Sequence, residues 1–351
     1  MNTVHVIVPG SIDDPARPSG GNVYDRRLCD ELAAHGWAVH EHPIPGAWPR
    51  PDATAYGALI GVLTGLADGT VVVLDGLVAS AATDLPSFAR RLVLVVLVHM
   101  PLAQGSADVA GRAVESAVLA AATGVIATSA WTKRWLLERY ALESDRIHVV
   151  EPGVDAAEIA LGTPSGGELL CVAAVTPAKG HDLLVAALAE IEDLSWGCVC
   201  AGATDLDPEF VDRLERESIR GGIADRIRFV GTRVGAELEA TYAGADALVL
   251  CSRAETYAMV VTEALARGIP VIATAVGGVP EALGYGADST RPGILVPPDD
   301  PGALAAALRK WLGDADLRLR LRRAARERRA GLAGWGTTAS RFADVLAGLA
   351  A

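Results

Sequence analysis

Cys251–Leu283, CSRAETYAMVVTEALARGIPVIATAVGGVPEAL, reads in order as a strand end, a loop, a helix, a strand, a glycine turn and the start of a second helix. The first helix is apolar on nearly every side, since Met259–Val261 precede Glu263 and Ala264–Leu265 follow it. A helix that is apolar on most of its surface is a buried one. Strands alternating with buried helices are typical of a parallel α/β sheet. The stretch therefore predicts such a sheet, with a carboxylate inside it.

Glu263 needs a polar partner, because burying a lone carboxylate is costly. One candidate is Arg267, which lies four positions later in the favourable acid-before-base order. The other candidate is a ligand with neighbouring hydroxyl groups, such as a ribose, because a carboxylate can accept both hydroxyl hydrogens. The sequence leaves both partners open.

The start of the same helix predicts an anion site. Backbone N–H groups of Tyr257–Val260 lie there, at the positive end of the helix dipole. Glu255, in the loop just before the helix, is placed to hold a second hydroxyl-bearing group beyond the anion. In order along the chain, the stretch thus offers a sugar contact, a phosphate cradle and a ribose clamp.

Composition narrows the class of protein. The chain has 351 residues, enough for two domains, and 51% of them are hydrophobic. Its net charge of −12 argues against a nucleic-acid partner. We find no apolar run of membrane-spanning length and no signal peptide, so we expect a cytoplasmic protein without a stable membrane anchor. The scarcity of lysine beside arginine, with abundant alanine and glycine, indicates a bacterial source.

Strands and helices alternate along the whole chain. In the first half we expect six strands: His5–Val8, Val39–Pro43, Val71–Leu74, Leu92–Val98, Gly124–Thr128 and Ile147–Val150. The segment 161–168, LGTPSGGE, lacks an apolar period and is the best candidate for a linker. The alternation then resumes. We therefore predict two doubly wound domains, 1–160 and 169–336, with ligands bound at the carboxyl ends of strands in the cleft between them.

Other candidate residues also lie near expected strand ends. Gly20 and Gly21 precede a predicted helix and suit a phosphate or an ordinary turn, while the dinucleotide fingerprint G-x-G-x-x-G is absent. Lys179 opens a helix after a buried strand and suits phosphate or solvent. His99 ends a strand, where a satisfied histidine is the alternative to a ligand contact. Arg253 suits a diphosphate or an ion pair with Glu255.

Together these motifs resemble the retaining family 4 glycosyltransferases of the GT-B fold. Glu255 and Glu263 match the E-x7-E signature of that family. Five further segments resemble family motifs in the family's order: GGNVYDRRLCDELAAHGWAV (20–39), VIATSAWTKRWL (125–136), HVVEPGVD (148–155), TPAKGHDLL (176–184) and VGGVPEAL (276–283). The resemblance spans nearly the whole chain.

The resemblance implies a role for each matching position. Contacts with the transferred sugar fall to Glu255, the backbone of Tyr257 and Ala258, and His99 beside the anomeric carbon. The diphosphate is implied to contact the amides of Met259 and Val260 together with Lys179, Gly20 and Gly21. The ribose is implied to contact Glu263, and the base to contact the loop Val230–Arg233. The last helix, expected at 337–349, is implied to cross back onto the first domain.

The implied reaction moves a hexosyl group from a UDP- or GDP-sugar to an acceptor hydroxyl and keeps the anomeric configuration. The family needs neither a cofactor nor a metal ion, because backbone dipoles and a lysine take the place of a cation. The acidic net charge favours a soluble small-molecule acceptor over a lipid surface. Asp75, Gln104 and Asp108 are candidate acceptor contacts.

Two departures from the family pattern stand out. Ala174 occupies the position of a second diphosphate contact that is usually an arginine, and Arg253 or Arg233 is a candidate replacement. Ala258 replaces a glycine, which narrows the backbone freedom beside the sugar. The alternatives are a nucleotide-sugar-binding subunit without activity and a GT-B-fold epimerase.

Overall fold

The computed structural model describes residues 2–104 and 109–350. It divides into two compact units. Unit 1 runs to Gly153, apart from the short piece Pro15–Arg17, and resumes at Ala333. Unit 2 consists of Val154–Leu332 together with Pro15–Arg17. The chain therefore passes from unit 1 into unit 2 and back again.

Unit 1 is built on a six-stranded parallel sheet in the order β2-β1-β3-β4-β5-β6. Its strands are β1 Thr3–Pro9, β2 Ala38–Ile44, β3 Val71–Asp75, β4 Val93–Val98, β5 Gly124–Ala127 and β6 Ile147–Val149. All of β3 and β5 is buried, as expected of central strands covered on both faces. The strands are joined by α1 Gly20–Ala34, α2 Ala53–Gly65, α3 Gly76–Ala79, α4 Leu85–Phe88, α5 Val109–Ala121 and α6 Ala130–Arg139.

Unit 2 repeats the plan with the order β12-β11-β10-β7-β8-β9. Its strands are β7 Glu168–Val172, β8 Gly197–Ala201, β9 Ile227–Phe229, β10 Ala247–Leu250, β11 Val271–Thr274 and β12 Gly293–Val296. Its helices are α7 His181–Ala189, α8 Pro208–Arg220, α9 Gly235–Ala243, α10 Met259–Ala266, α11 Val279–Leu283, α12 Pro301–Gly313 and α13 Ala315–Arg329. The strand order reverses between β7 and β10, which makes that pair the topological switch point.

The last helix, α14 Trp335–Leu349, belongs to unit 1 and packs on α1. Phe342 and Leu346 on this helix are fully buried, and Trp335 meets Tyr24 edge to face, with 5.6 Å between ring centroids. All five cysteines are buried free thiols. No helix in the described ranges combines the length and apolar character that a membrane span requires.

Several boundaries differ from those expected. The predicted linker 161–168 lies inside unit 2, because Thr163 donates to both oxygens of Asp246 and Trp311 donates to the Gly166 carbonyl. The chain leaves unit 1 earlier, after Gly153. The short helices α3 and α4 and the edge strand β12 were not predicted. Gly20 and Gly21 form the first turn of α1 rather than a loop before it.

Candidate functional site

The candidate site of unit 2 lies where β7 and β10 end, at the switch point of the sheet. A short 3-10 helix, Pro177–Lys179, follows β7, and the loop Cys251–Ala258 follows β10. The two loops are joined, because the Arg253 amide donates to the Ala178 carbonyl at 2.9 Å. The residues singled out from sequence in these loops are therefore neighbours in space.

Glu255 is held by two donors on the same oxygen. The Lys179 ammonium and the Ser252 hydroxyl each donate to Oε1 at 2.7 Å. Glu255 is 9% exposed, whereas one third of the Lys179 side chain faces solvent. Because both donors hold Oε1, the carboxylate is fixed in orientation.

The turn Gly277–Gly278 fixes the backbone beneath Glu255. The Gly278 amide donates to the Glu255 carbonyl at 3.1 Å. Gly277 has φ +54, and a Cβ there would lie 1.5 Å from the same carbonyl oxygen. Only glycine combines this left-handed conformation with so close an approach. The glycine turn after β11 is therefore part of the site.

The N-terminus of α10 is open. Ala258 is the N-cap residue, with φ 71 and ψ 72, and no side chain caps the helix. The amides of Met259 and Val260 have no preceding turn to accept them, so they can bind an anion. The helix begins at Met259, two residues later than the start expected at Tyr257. Ala258 takes up the left-handed conformation although it carries a Cβ, at a cost of about 1 kcal/mol.

Glu263 has a partner that the sequence did not reveal. The hydroxyl of Tyr242, on α9, donates to its Oε2 at 2.7 Å. Arg267 instead donates to the Glu263 backbone carbonyl and pairs with Glu239, so the expected ion pair within the helix is not formed at the carboxylate. The Arg267 guanidinium also covers the Tyr242 ring, 4.4 Å from its centroid. Burial raises the pKa of Glu263.

Arg253 is engaged with acidic groups other than Glu255. It forms two hydrogen bonds to Asp182, at 2.8 and 2.9 Å, and one to Asp299 at 2.8 Å. It also donates to the Pro177 carbonyl. These hydrogen bonds raise the pKa of Arg253. The ion pair with Glu255, one of the two alternatives expected from sequence, is not formed, because Arg253 joins its own loop to the Pro177 carbonyl and to Asp182 on α7.

Val230 and Arg233 line a groove of about 490 Å³ between α9 and the sheet face of β7–β9. Arg233 pairs with Glu237 one turn later at 2.9 Å. The loop expected to receive a nucleoside base therefore borders a concave surface of unit 2.

Unit 1 contains a separate cluster of titratable residues at the ends of its strands. His99 follows β4, and its Nε2 lies 2.7 Å from Oδ1 of Asp25 and 3.6 Å from Oδ2 of Asp75. Gly21 packs on the imidazole, because a Cβ there would lie 3.1 Å from Cδ2 of His99. Gly20 begins α1, whose N-cap Ser19 already accepts from the Asn22 amide. Asp25 was missed from sequence, although it is an acid on the apolar face of an amphipathic helix.

The three residues expected to contact the acceptor differ in their surroundings. Asp75 is buried and caps α3 through the Leu77 amide at 2.7 Å. Gln104 has a buried Oε1 without a partner among the described residues. Asp108 lies outside the described residues.

Comparison with known families covers both units. The model described as Glycosyltransferase Family 4 matches residues 4–158, and the model described as Glycosyl transferases group 1 matches residues 164–328. The D-inositol 3-phosphate glycosyltransferase 1 of Catenulispora acidiphila is 33% identical over 277 residues, 73% of this chain and 64% of that protein. The D-inositol 3-phosphate glycosyltransferase of Kineococcus radiotolerans is 32% identical over 287 residues, 75% and 66% of the two chains. The match thus spans just under two thirds of either relative.

Solved structures match the fold over nearly the full length. A sucrose-phosphate synthase from Thermosynechococcus elongatus has a TM-score of 0.79 at 23% identity and covers 99% of both chains. Anabaena Alr3699/HepE in complex with UDP has a TM-score of 0.78 at 17% identity and covers 99% of this chain and 100% of that one. These similarities confirm the predicted α/β fold with two parallel-sheet domains.

Proposed function

The chain belongs to the GT-B-fold glycosyltransferases of the family 4 type, and on that premise we propose that it moves a hexosyl group from a nucleoside diphosphate sugar to an acceptor hydroxyl. The observation that carries the proposal is the arrangement at the switch point of unit 2. There a fixed carboxylate, a lysine, an uncapped helix N-terminus and a second carboxylate follow one another. This order matches the parts of a nucleotide sugar, from sugar through diphosphate to ribose.

The diphosphate is assigned to α10 and Lys179. Amides of Met259 and Val260 supply fixed dipoles, and the ammonium supplies a full positive charge. Lys179 already bonds Glu255, so in the proposed complex it links the carboxylate that holds the sugar to the phosphate that leaves. No metal ion is invoked, because these groups meet the charge of the leaving diphosphate.

The ribose is assigned to Glu263. Its Oε2 is oriented by Tyr242, which leaves Oε1 and the remaining lone pair of Oε2 for the two ribose hydroxyls. Since burial raises the pKa of this carboxyl group, ligand hydroxyls that donate to it also favour its ionised form.

The chemistry proposed is transfer on one face of the sugar. Dipoles and a lysine positioned in advance stabilise the negative charge that develops on the diphosphate, which is the largest single contribution in many enzymes. The acceptor oxygen bonds to the anomeric carbon on the face from which the diphosphate departs as its bond to that carbon breaks, so the anomeric configuration is kept. The leaving phosphate oxygen takes the proton of the acceptor, so no general base is assigned. His99 beside the anomeric carbon, and Gly20 and Gly21 at the diphosphate, are part of the same proposal.

The proposed acceptor is a small soluble molecule with free hydroxyl groups, in the bacterial cytoplasm. The two relatives above are named for an inositol phosphate acceptor, and the Anabaena protein was solved with UDP. UDP-sugars therefore come first among the donors to test, with GDP-sugars second.

A thermal-shift panel of UDP, GDP and their sugars tests the donor assignment. A ligand that binds the folded protein at about 100 times its Kd adds about 2.7 kcal/mol of stability. Lys179→Met should weaken binding of the best ligand by about 1.5–3 kcal/mol, the range for a charge-assisted hydrogen bond, which is tenfold or more. The matched control is Lys310→Met, which removes the same charge from the exposed end of α12.

Release of nucleoside diphosphate with a polyol acceptor then tests turnover. Glu255→Gln keeps the shape of the side chain but removes the charge that faces Lys179, so transfer should fall about a hundredfold or more. Equal turnover by Glu255→Gln, or no stabilisation by any nucleotide, would contradict the proposal.

A nucleotide-sugar-binding subunit without activity is the second candidate. It is favoured by Ala174, which lacks the usual arginine, and by Arg253, whose guanidinium is committed to Asp182 and Asp299. This candidate predicts tight binding with donor hydrolysis no faster in the native protein than in Glu255→Gln. Interconversion of two nucleotide sugars without an acceptor would indicate the epimerase instead.

A further inference from the structure

Three titratable side chains from three elements meet in the interior of unit 1. Asp25 comes from α1, Asp75 from the end of β3 and His99 from the end of β4. The side chains of Asp25 and Asp75 are 2% and 3% exposed, and that of His99 is 15% exposed. The helix α1 follows β1, and β1 and β3 are the neighbouring strands that form the switch point of this sheet. Buried acids at such a place need an explanation, because each carries a large desolvation cost.

The hydrogen bond between Asp25 and His99 fixes one tautomer of the ring. At 2.7 Å it has the length of a charge-assisted bond, and an ionised carboxylate can only accept. The proton therefore lies on Nε2. This leaves Nδ1 as the ring nitrogen that can meet a substrate, and its role depends on the second proton. A neutral ring accepts at Nδ1, whereas an imidazolium donates.

The charges around His99 favour the imidazolium. The pKa of His99 is raised because Asp25 and Asp75 together outweigh the burial of the ring. The pKa of Asp75 is raised to about 7, mainly by burial and then by the charge of Asp25. The second oxygen of Asp25, Oδ2, is buried and has no hydrogen-bond partner among the described residues. From α1 the remaining titratable neighbour is Tyr24, which burial keeps neutral by raising its pKa. The flanking α3 and β5 carry no titratable side chain.

We propose that Asp25 is a positioning residue for His99, holding one proton on Nε2 so that Nδ1 meets the substrate, as a hydrogen-bond donor when the ring carries its second proton. The inference rests on the proposed function for what His99 contacts, but the position of the proton on Nε2 follows from the geometry of unit 1 alone. It predicts that substrates offer an oxygen acceptor, not a donor, to His99.

The test follows the ring of His99 by NMR in the full-length protein labelled at histidine. The signals are assigned by their loss in His99→Asn. In the native protein Nε2 should stay protonated from pH 5 to 9, and Nδ1 should lose its proton above 6.5. In Asp25→Asn the titration should move down by about one unit or more, as expected when an opposite charge is removed from hydrogen-bond distance. Asp75→Asn is the matched control, because it retains the Asp25 partner and the cap on α3, and its shift should be smaller.

Three outcomes would overturn the inference. They are an unchanged His99 titration in Asp25→Asn, a native ring that loses the Nε2 proton first, and a larger shift in Asp75→Asn than in Asp25→Asn. Measurements on the native protein decide the tautomer even if Asp25→Asn fails to fold.

The pH profile of transfer adds an independent readout. In Asp25→Asn the alkaline fall of kcat should move to lower pH together with the NMR titration, whereas a merely structural role would lower kcat equally at every pH. If the protein transfers no sugar but shows the expected titrations, the proposed function is wrong and the assignment of the His99 protons stands. If the protein transfers sugar but the pH profile of kcat is unshifted in Asp25→Asn, the proposed function stands and the role of Asp25 is wrong.

Discussion

At the scale of single residues, Gly277 is the position where one added atom matters most. A Cβ at this site meets the Glu255 carbonyl at 1.5 Å, and the backbone has φ +54. We expect Gly277→Ala to displace the Glu255 loop, costing about 2 kcal/mol or more in the free energy of unfolding and most of the transfer activity. Urea unfolding and the diphosphate-release assay measure the two effects.

The matched control is Gly61→Ala. Gly61 lies inside α2, and a Cβ there meets nothing within 4 Å. The same substitution should stabilise the protein by about 0.5–1 kcal/mol, since alanine is the better helix former. A Gly277→Ala protein as stable and active as Gly61→Ala would mean that the turn does not support the site.

The candidate site residues were readable from sequence where their spacing is local. Glu255 and Glu263 stand eight positions apart on one loop and helix, so their pattern survives in the linear chain. The partners that orient these glutamates were not visible in the sequence, because Tyr242 is 21 positions from Glu263 and Lys179 is 76 positions from Glu255. The ion pair of Arg253 with Asp182, in place of Glu255, was hidden for the same reason, since Asp182 is 71 positions away. Only the packing of α7, α9 and α10 brings these groups together.

At the scale of elements, β1 and the edge strand β2 carry a stack of three histidines. The ring of His5 lies parallel to those of His40 and His42, with centroids 4.7 and 5.1 Å away. Nδ1 of His5 lies 2.9 Å from Nε2 of His42, so one ring nitrogen must accept. Burial, and then the neighbouring His40, lower the pKa of both His5 and His42.

The stack should make the protein sensitive to acid. A histidine with a lowered pKa in the folded state contributes stability above its unfolded pKa of 6.5, and that stability is lost as pH falls toward the folded value. We therefore expect the urea midpoint to fall between pH 7 and pH 5, and to fall less in His42→Gln. His35→Gln, at the C-cap of α1, is the control and should leave the acid loss unchanged. An equal acid loss in native protein and His42→Gln would refute this interpretation.

Long elements were predicted well and short ones were missed. The unbroken apolar run of β4 and the amphipathic period of α1 each point to one kind of structure. The helices α3 and α4, four residues each, are too short to show a period. Strand β12 has only four residues, lies between the segments GYGADSTRP (284–292) and PPDD (297–300), and has no strong signal of its own.

At the scale of the whole molecule, unit 1 depends on a segment that follows unit 2 in the chain. The helix α14 buries Trp335, Phe342 and Leu346. Each such side chain contributes about 1.5–3 kcal/mol, against a typical total stability of about 5–15 kcal/mol for a domain. Deleting residues 333–351 should therefore unfold unit 1 and leave unit 2 folded. Limited proteolysis should then yield a resistant fragment that begins near Val154.

A shorter deletion is the control. Removing residues 348–351 leaves the three buried side chains in place, so unit 1 should stay resistant to protease. If the longer deletion left unit 1 equally resistant, α14 would not be needed for its fold.

The placement of this boundary also shows what composition cannot reveal. Glycine, proline and serine at 161–168 predict a loop, and a loop is what forms there. Whether a loop joins two units or lies on one of them depends on contacts such as that of Thr163 with Asp246, 83 positions away. The two-domain architecture was predictable, because two runs of alternation are visible in the chain, but the point where one unit gives way to the next was not.

The return of the chain to unit 1 also dictates an order of events at the ribosome. The first 153 residues leave the exit tunnel early, yet their sheet lacks the helix that covers α1 until Trp335–Leu349 have been translated. Unit 2 needs nothing encoded after Leu332. The half that is synthesised second is therefore the first that can complete its fold, and the half that is synthesised first stays incomplete until Trp335–Leu349 have left the ribosome.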